Sequence, residues 1–247
     1  MSWFSWLFGG AASGNNEQCR YIDNPCHQSI VLDMDECLLH TWDVTRNTYV
    51  KNIEHNPKTV GLRRHLFEVY AEVSNPKLIM YGIMRPGLVD FLNYCFSRFD
   101  NVILWSAGDD YYVKQVVECI FKKTDNMPNN VLARSNCHII SGEVKKKKDA
   151  GSQEVEIYTK PLSKLEKIDP SMTLQKCIFV DDNPDNSYFN ISNHVLIPRF
   201  EPKCNATDID KALDNDRALY DLIEWLESDQ VKYCKDIREL PKTGIFH

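Results

Sequence analysis

The chain has 247 residues, of which 43% are hydrophobic and 26% charged, and this composition is typical of a folded globular protein rather than a disordered one. Its 35 acidic residues outnumber its 29 lysines and arginines and give a net charge of -6, so no excess of cations is available to neutralise nucleic-acid phosphates. No apolar run approaches the roughly 20 residues that span a bilayer, so we expect neither a direct nucleic-acid partner nor a transmembrane segment.

The amino-terminal segment combines an apolar head with a polar linker. The linker, residues 9–16, follows five bulky apolar residues, which are Trp3, Phe4, Trp6, Leu7 and Phe8. A flexible linker of this composition separates such a head from a folded domain. We therefore predict a tail, residues 1–17, that docks weakly on a membrane or a partner protein or else packs on its own domain. The remaining residues, 18–247, are predicted to form a single catalytic domain.

Three short apolar runs, each stopped abruptly by polar residues, predict the strands of the core. The runs and the residues that stop them are 29–32 with Asp33 and Asp35, 102–105 with Ser106, and 177–180 with Asp181 and Asp182. Unbroken runs of β-branched and aromatic residues are typical of strands that are buried on both faces of a parallel sheet. Residues 195–197 form a fourth candidate strand.

Helical patterns alternate with these strands. The predicted helices, in chain order, are residues 88–99, a helix opened by Asp109 and Asp110, residues 163–168, and residues 216–228. Strands that alternate with helices predict a doubly wound α/β fold, with a parallel sheet and helices on both faces. The segment 43–81 is predicted to be a small flap insert, and neither gap between the polar clusters has room for a large cap.

The nine cysteines do not form a disulfide framework. They are odd in number and spread evenly along the chain, without a CxxC pair, and no signal peptide precedes them. We interpret them as reduced, mostly buried thiols of an intracellular protein that is nuclear or cytoplasmic and not secreted. The lysine run 145–148 is most simply a solvated loop, with a nuclear-import signal as the alternative.

The polar residues at the strand ends should lie together in one crevice at the carboxyl edge of the sheet, the mouth of the site. The reason is that ligands of an open α/β sheet bind beyond the carboxyl ends of its strands. These residues are Asp33, Asp35, Ser106, Asp181 and Asp182. Four carboxylates in one crevice would repel one another unless a cation lay among them. Since no His or Cys is clustered with them, their oxygens favour Mg2+ as the cofactor.

These residue types suit phosphoryl transfer to a carboxylate. The sequence has no P-loop, HExxH or GxSxG motif, which leaves a carboxylate nucleophile as the covalent strategy. Because Asp33 and Asp35 lie two residues apart at a strand end, one can attack a bound group while the other handles protons. The hydroxyl of Ser106 and the ammonium of Lys160 would neutralise the phosphoryl oxygens, where the transition-state charge lies.

The residues from Ile30 to His40, IVLDMDECLLH, resemble the signature LVLDLDETLVH of the FCP/SCP branch of RNA polymerase II C-terminal-domain phosphatases. This branch belongs to the haloacid dehalogenase superfamily. The resemblance covers roughly residues 28–200 and continues through several short motifs. They include Met84-Arg85-Pro86-Gly87, Trp105-Ser106-Ala107, Ala133-Arg134-Ser135-Asn136-Cys137, Tyr158-Thr159-Lys160-Pro161 and Val180-Asp181-Asp182-Asn183.

The resemblance implies a haloacid dehalogenase-like fold and a role for each matching residue. Asp33 would be the nucleophile that forms an aspartyl-phosphate, and Asp35 the acid that protonates the leaving oxygen and later activates water. Ser106 and Lys160 would bind the phosphoryl group. The Mg2+ ligands would be Asp33, Asp181, Asp182 through a bound water, and Asp35 through its backbone carbonyl.

The sequence therefore predicts a Mg2+-dependent phosphatase that acts on phosphoserine or phosphothreonine in proteins, because an open mouth admits a macromolecular chain. The C-terminal repeats of RNA polymerase II are one candidate partner. One alternative is a small-molecule phosphatase or nucleotidase of the same superfamily. The other is a catalytically inactive binding module, against which the intact set of catalytic residues counts.

A few residues near the motifs fall outside this pattern. Cys37 stands where the family pattern has Thr or Val, and the segment 43–81 does not resemble the family's flap, the region that usually sets substrate choice. The aromatic residues Trp105, Tyr111 and Tyr112 are interpreted as core or rim packing.

Overall fold

The computed structural model describes residues 29–43, 65–70, 79–124, 126–145, 152–203 and 206–247. The predicted tail, residues 1–17, lies outside these ranges, so its docking stays a prediction, as does the division of the chain into tail, domain and flap. In the described ranges, no helix is long and apolar enough to cross a membrane. None of the six cysteines in the described ranges is in a disulfide bond.

The central sheet consists of β1 (Ser29–Leu32), β5 (Asn101–Trp105), β6 (Asn130–Leu132), β9 (Cys177–Asp181) and β10 (His194–Leu196). All neighbours are parallel, in the spatial order β10–β9–β1–β5–β6. The chain places β5 and β6 on one side of β1 and then β9 and β10 on the other, so the strand order reverses beside β1. The three apolar runs are confirmed as strands, and the fourth begins one residue earlier than predicted.

Both faces of this sheet are buried, which explains why its strands are continuously apolar. Ile30 and Leu32 point into one core and Val31 into the other. The first core is covered by α1 (Leu88–Arg98), α2 (Asp110–Phe121) and α5 (Ala218–Leu226), and the second by helical turns around α3 (Leu165–Ile168). The carboxyl-terminal part also contains α4 (Ala206–Asn215) and α6 (Asp229–Lys232). The predicted doubly wound α/β fold is confirmed.

An antiparallel sheet lies between β1 and α1 along the chain. Its strands are β2 (Leu39–Asp43), β3 (Leu66–Tyr70) and β4 (Ile79–Met84), in the spatial order β2–β4–β3. The described part of the predicted flap insert therefore belongs to a sheet, while its residues 44–64 and 71–78 lie outside the described ranges. Trp42 and Ile83 pack against Ile209 of α4, a helix that the sequence analysis missed.

A hairpin of β7 (His138–Lys145) and β8 (Ser152–Thr159) stands apart from both sheets. This hairpin was not predicted, because its apolar residues are interspersed with polar and charged ones and form no continuous apolar run; they are Ile139, Ile140, Val144, Val155 and Ile157. Lys145 is the last residue of β7, and the rest of the lysine run lies outside the described ranges. The strand β8 ends immediately before Lys160, so the hairpin directs this lysine toward the sheet.

Arg85 joins the loop after β1 to the carboxyl-terminal part of the chain. Its side chain is fully buried, and Nε and Nη2 donate to both carboxylate oxygens of Asp216 at 2.8 and 2.9 Å. Nη1 donates to the Cys37 carbonyl at 2.9 Å, and Nη2 to the Pro198 carbonyl at 2.7 Å. The guanidinium carbon also lies 5.4 Å from the centre of the Phe200 ring. One arginine thus connects four segments around the base of the mouth.

Replacing Arg85 by Met should lower the free energy of unfolding by about 3–5 kcal/mol, because Asp216 and the carbonyls of Cys37 and Pro198 lose the donor that they share. Urea unfolding followed by circular dichroism measures the difference. Arg217→Met is the matched control, since the Arg217 side chain is 64% exposed and its loss should change stability by about 0.5 kcal/mol or less. Equal stability of the two variants would show that Arg85 does not stabilise the segments that it contacts.

Candidate active site

The mouth forms where the strand order reverses. Asp33 follows the last residue of β1, and Asp181 ends β9; the backbone N–H of Asp33 donates to the Val180 carbonyl at 2.9 Å. Because β1 and β9 are paired in register, the two aspartates lie level with each other at the carboxyl edge of the sheet. Lys160 lies between them: its ammonium donates to Asp33 Oδ1 and, at 2.7 Å, to Asp181 Oδ2.

The electrostatics of this trio follow from its burial. Asp33, Lys160 and Asp181 are 5%, 0% and 0% exposed. Burial raises the pKa of Asp33, and the charge of Asp181 raises it further, while Lys160 opposes both effects. Burial lowers the pKa of Lys160, but the carboxylates of Asp181 and Asp33 outweigh this and hold it above its usual value. Lys160 is therefore a permanent buried cation shared by two carboxyl groups.

Asp181 is held in place by residues of the turn that follows β9. The backbone N–H of Asn183 donates to its Oδ1 at 2.8 Å, and the amide of Asn186 donates to both carboxylate oxygens at 2.9 Å. Asn186 was not among the predicted site residues. Its position five residues after Asp181, in the turn that leaves the strand end, could have indicated that its side chain reaches this carboxylate. These donors fix the orientation of Asp181 toward the mouth.

Three carboxylates form a group that fits a divalent cation. Asp33, Asp181 and Asp182 each offer one oxygen, and these oxygens lie within 4.8 Å of one another. Burial raises the pKa of Asp182 to about 6, with further contributions from Asp181 and Glu36 that Arg199 opposes. A cluster of carboxylate oxygens without His or Cys suits a hard ion such as Mg2+. The residues present therefore fit the predicted cofactor.

The Asp35 carboxylate has different partners and is not part of this group. Ser106 donates its hydroxyl to Oδ2 at 3.1 Å, and Tyr112 donates its phenol to Oδ1 at 2.5 Å. Burial raises the pKa of Asp35, and the hydrogen bond from Tyr112 limits that rise. The interpretation of Tyr112 as packing alone was incomplete, because its ring is buried while its hydroxyl reaches the site. Ser106, predicted to contact phosphoryl oxygens, donates to Asp35 in this structure.

The mouth opens into a cleft of about 520 Å³ whose walls come from several elements. Its floor is formed by the aspartates, and one wall by the consecutive β8 residues 155–158. Arg134 lies on the rim, where its Nε donates to the Ala107 carbonyl at 2.7 Å and its guanidinium carbon lies 5.4 Å from the centre of the Tyr158 ring. Arg199, also on the rim, pairs with Glu36 at 3.4 Å and Asp182 at 3.7 Å.

The structure brings the predicted site residues together in two neighbouring sets. The first contains Asp33, Lys160, Asp181 and Asp182, and the second contains Asp35 and Ser106. The first set can bind a cation and offer an aspartate as a nucleophile. The second holds a carboxyl group between two hydroxyl donors, which suits a group that gives and takes a proton.

Two solved structures are similar to the chain. A variant of the fission yeast RNA polymerase II CTD phosphatase Fcp1 bound to beryllium fluoride matches with a TM-score of 0.52 and 20% identity, over 81% of this chain and 50% of that chain. The structure of Fcp1, described as an essential RNA polymerase II CTD phosphatase, matches with a TM-score of 0.52 and 22% identity, over 88% of this chain and 58% of that chain. At these identities the likeness establishes the haloacid dehalogenase-like fold, and the chain spans only 50–58% of the length of these proteins.

The sequence comparisons define the family. A search of curated protein sequences gives no significant match. The sequence profile of the NLI interacting factor-like phosphatases matches residues 28–238, a range that contains both sets of site residues and most of the chain. The chain belongs to the NLI interacting factor-like phosphatase family.

Proposed function

We propose that the chain is a Mg2+-dependent phosphatase that forms an aspartyl-phosphate on Asp33 and acts on phosphoserine or phosphothreonine in proteins. The observation that carries this proposal is the contrast between the two aspartates that follow β1. Asp33 lies against the ammonium of Lys160, whereas Asp35 lies between two hydroxyl donors. A carboxylate that accepts a hydrogen bond from an ammonium suits attack on phosphorus, and a carboxyl group held between two hydroxyl donors suits proton transfer.

The proposed reaction has two steps that balance. In the first, a carboxylate oxygen of Asp33 forms a bond to phosphorus, the ester bond from phosphorus to the leaving oxygen breaks, and Asp35 gives that oxygen its proton. In the second, water gives a proton to Asp35 and attacks phosphorus, and the bond to Asp33 breaks to release phosphate. Lys160 balances the charge on the phosphoryl oxygens in both steps.

Asp33, Asp181 and Asp182 would hold the cation, since their oxygens lie close together. When bound, Mg2+ supplies positive charge that neutralises the phosphoryl oxygens and lowers the pKa values of the carboxyl groups around it. Asn183 and Asn186 would keep Asp181 aimed at the ion, because both donate hydrogen bonds to its carboxylate.

A protein substrate is supported by the shape of the cleft and by the names of the matched structures. In the described ranges, the cleft is bordered by a strand and two rim arginines rather than by a cap domain. Both matched proteins are named as RNA polymerase II CTD phosphatases, which makes the C-terminal repeats of that enzyme one candidate substrate. An intracellular site of action, nuclear or cytoplasmic, is part of the proposal, and the absence of disulfide bonds among the cysteines of the described ranges supports it.

Asp33→Asn should reduce turnover of p-nitrophenyl phosphate and of phosphoserine peptides to background, because an amide oxygen is a poor nucleophile. Phosphate release measures the loss, and circular dichroism verifies the fold.

Beryllium fluoride, which is bound in one of the matched structures, should raise the Tm of the wild type with Mg2+ but not that of the Asp33→Asn variant. Asp100→Asn, at an exposed position after α1, is the control and should keep full activity. Wild-type kcat in Asp33→Asn would refute the mechanism, and wild-type protein without activity would indicate a binding module.

Chelation should abolish activity, and added Mg2+ should restore it. The reason is that the carboxylates of Asp33, Asp181 and Asp182 would repel a phosphoryl group unless a compact cation lay between them and its oxygens. Ca2+ should restore activity poorly, since its coordination is larger and looser. Mg2+ should also raise the Tm of the wild type by binding the folded state, and this rise should be lost in Asp181→Asn. Full activity in excess chelator, or equal Tm rises in both proteins, would exclude the proposed cation site.

Lys160→Met should lower the free energy of unfolding by about 3–5 kcal/mol in metal-free protein near neutral pH, because two buried carboxyl groups lose their shared cation. Urea unfolding measures this difference. Lys167→Met, at an exposed position of α3, is the control and should change stability by about 0.5 kcal/mol or less. If both lysine variants are as stable as the wild type, Lys160 does not balance the site.

A further inference from the structure

A chain of hydrogen bonds joins the antiparallel sheet to Asp35. Thr41 lies in β2, Tyr112 in the first turn of α2, and Asp35 in the loop after β1. The Tyr112 hydroxyl lies 2.5 Å from Asp35 Oδ1 and 3.1 Å from Thr41 Oγ1. Three elements that are separate in the sequence therefore meet at one phenol oxygen.

The chemistry of these groups fixes the direction of the chain. Tyr112 donates its single hydroxyl proton to Asp35 Oδ1. This direction holds both for the carboxylate and for the acid whose proton lies on Oδ2, because Oδ1 accepts hydrogen bonds in each form. The Tyr112 oxygen then acts as the acceptor for the hydroxyl proton of Thr41. Thr41 of β2 thus donates to Tyr112 of α2, and Tyr112 donates to Asp35, the acid of the proposed mechanism.

The position of the phenol is tightly determined. The Tyr112 ring is 7% exposed and packs in the first core, and its backbone N–H donates to the Asp109 side chain at 3.0 Å. Gly108 leaves room for this approach, because a Cβ there would lie 2.9 Å from the Tyr112 ring and 3.1 Å from Ser106 Oγ. Tyr112 and Ser106 hold the two oxygens of Asp35 from different directions and so fix the plane of its carboxyl group.

We propose that Tyr112 is a positioning residue that aims the proton of Asp35 at the leaving oxygen, and that Thr41 ties this alignment to the antiparallel sheet. This inference rests on the proposed function and deepens it. Its consequence depends on the leaving group. An alkoxide needs the proton as the ester bond breaks, whereas p-nitrophenolate leaves without it. Poor alignment of Asp35 should therefore slow alkyl phosphates much more than p-nitrophenyl phosphate.

The test compares Tyr112→Phe with the wild type on benzyl phosphate and p-nitrophenyl phosphate, two substrates of similar size. The measured quantity is kcat/KM, which reports the step that breaks the ester bond. We expect kcat/KM to fall about 10- to 100-fold on benzyl phosphate and about threefold or less on p-nitrophenyl phosphate, mainly through kcat. Tyr111→Phe, the neighbouring residue on the same helix, is the matched control and should leave both values unchanged.

The Thr41 variants give an independent readout. Thr41→Val should shift the ratio of the two kcat/KM values in the same direction by a smaller factor, and Thr41→Ser, which keeps the hydroxyl, should restore it. If Tyr112→Phe does not fold, this pair decides the question. Equal losses on both substrates, or no loss on either, would overturn the positioning role. That result would leave the proposed function intact, because the function is tested by Asp33→Asn and by chelation in the wild type.

Discussion

The site depends on one buried cation. Parallel pairing of β1 and β9 places Asp33 and Asp181 side by side at the carboxyl edge of the sheet, where burial would make two bare carboxylates very costly. The ammonium of Lys160 lies between them and balances their charge. To reach that point the chain must bring the end of β8 over the sheet edge, and the Lys160 backbone N–H donates to the Asn186 carbonyl at 2.8 Å. The hairpin, the turn after β9 and the sheet are thereby tied to a single charge.

Around this cation, two aspartates of one loop acquire different chemistry from different neighbours. Asp33 contacts a positive charge and lies close to two other carboxyl groups, whereas the Asp35 carboxylate accepts hydrogen bonds from two hydroxyl groups. Residues two apart in an extended strand share a face, but β1 ends at Leu32, so both aspartates lie in the loop after it, where their side chains meet different neighbours. Met34 itself is fully buried and anchors the loop between them. The proposed division into nucleophile and acid therefore depends on the packing as much as on the motif.

The elements that border the cleft are attached to the central sheet rather than part of it. The hairpin and the antiparallel sheet both emerge from its carboxyl edge, as is common for loops and insertions that carry function on a rigid scaffold. Arg85 secures the base of this arrangement through Asp216 and two carbonyls.

The sequence by itself determined four of the five strands of the central sheet, the helices α1, α2 and α5 and the strand-end aspartates, because burial on both faces demands unbroken apolar runs and the polar residues mark where each run ends. Only the tertiary structure decided that Tyr112, 77 residues from Asp35, gives its hydroxyl to that carboxyl group, and that Asn186 orients Asp181. The β7–β8 hairpin was also not predicted, since its apolar residues are interspersed with polar ones and form no continuous run of the kind that marks a strand buried on both faces. Asn186 follows Asp181 by five residues, in the turn that leaves the strand end, whereas Tyr112 comes from a distant segment. Packing in three dimensions selects a distant partner of this kind, and one-dimensional periodicity carries no signal for it.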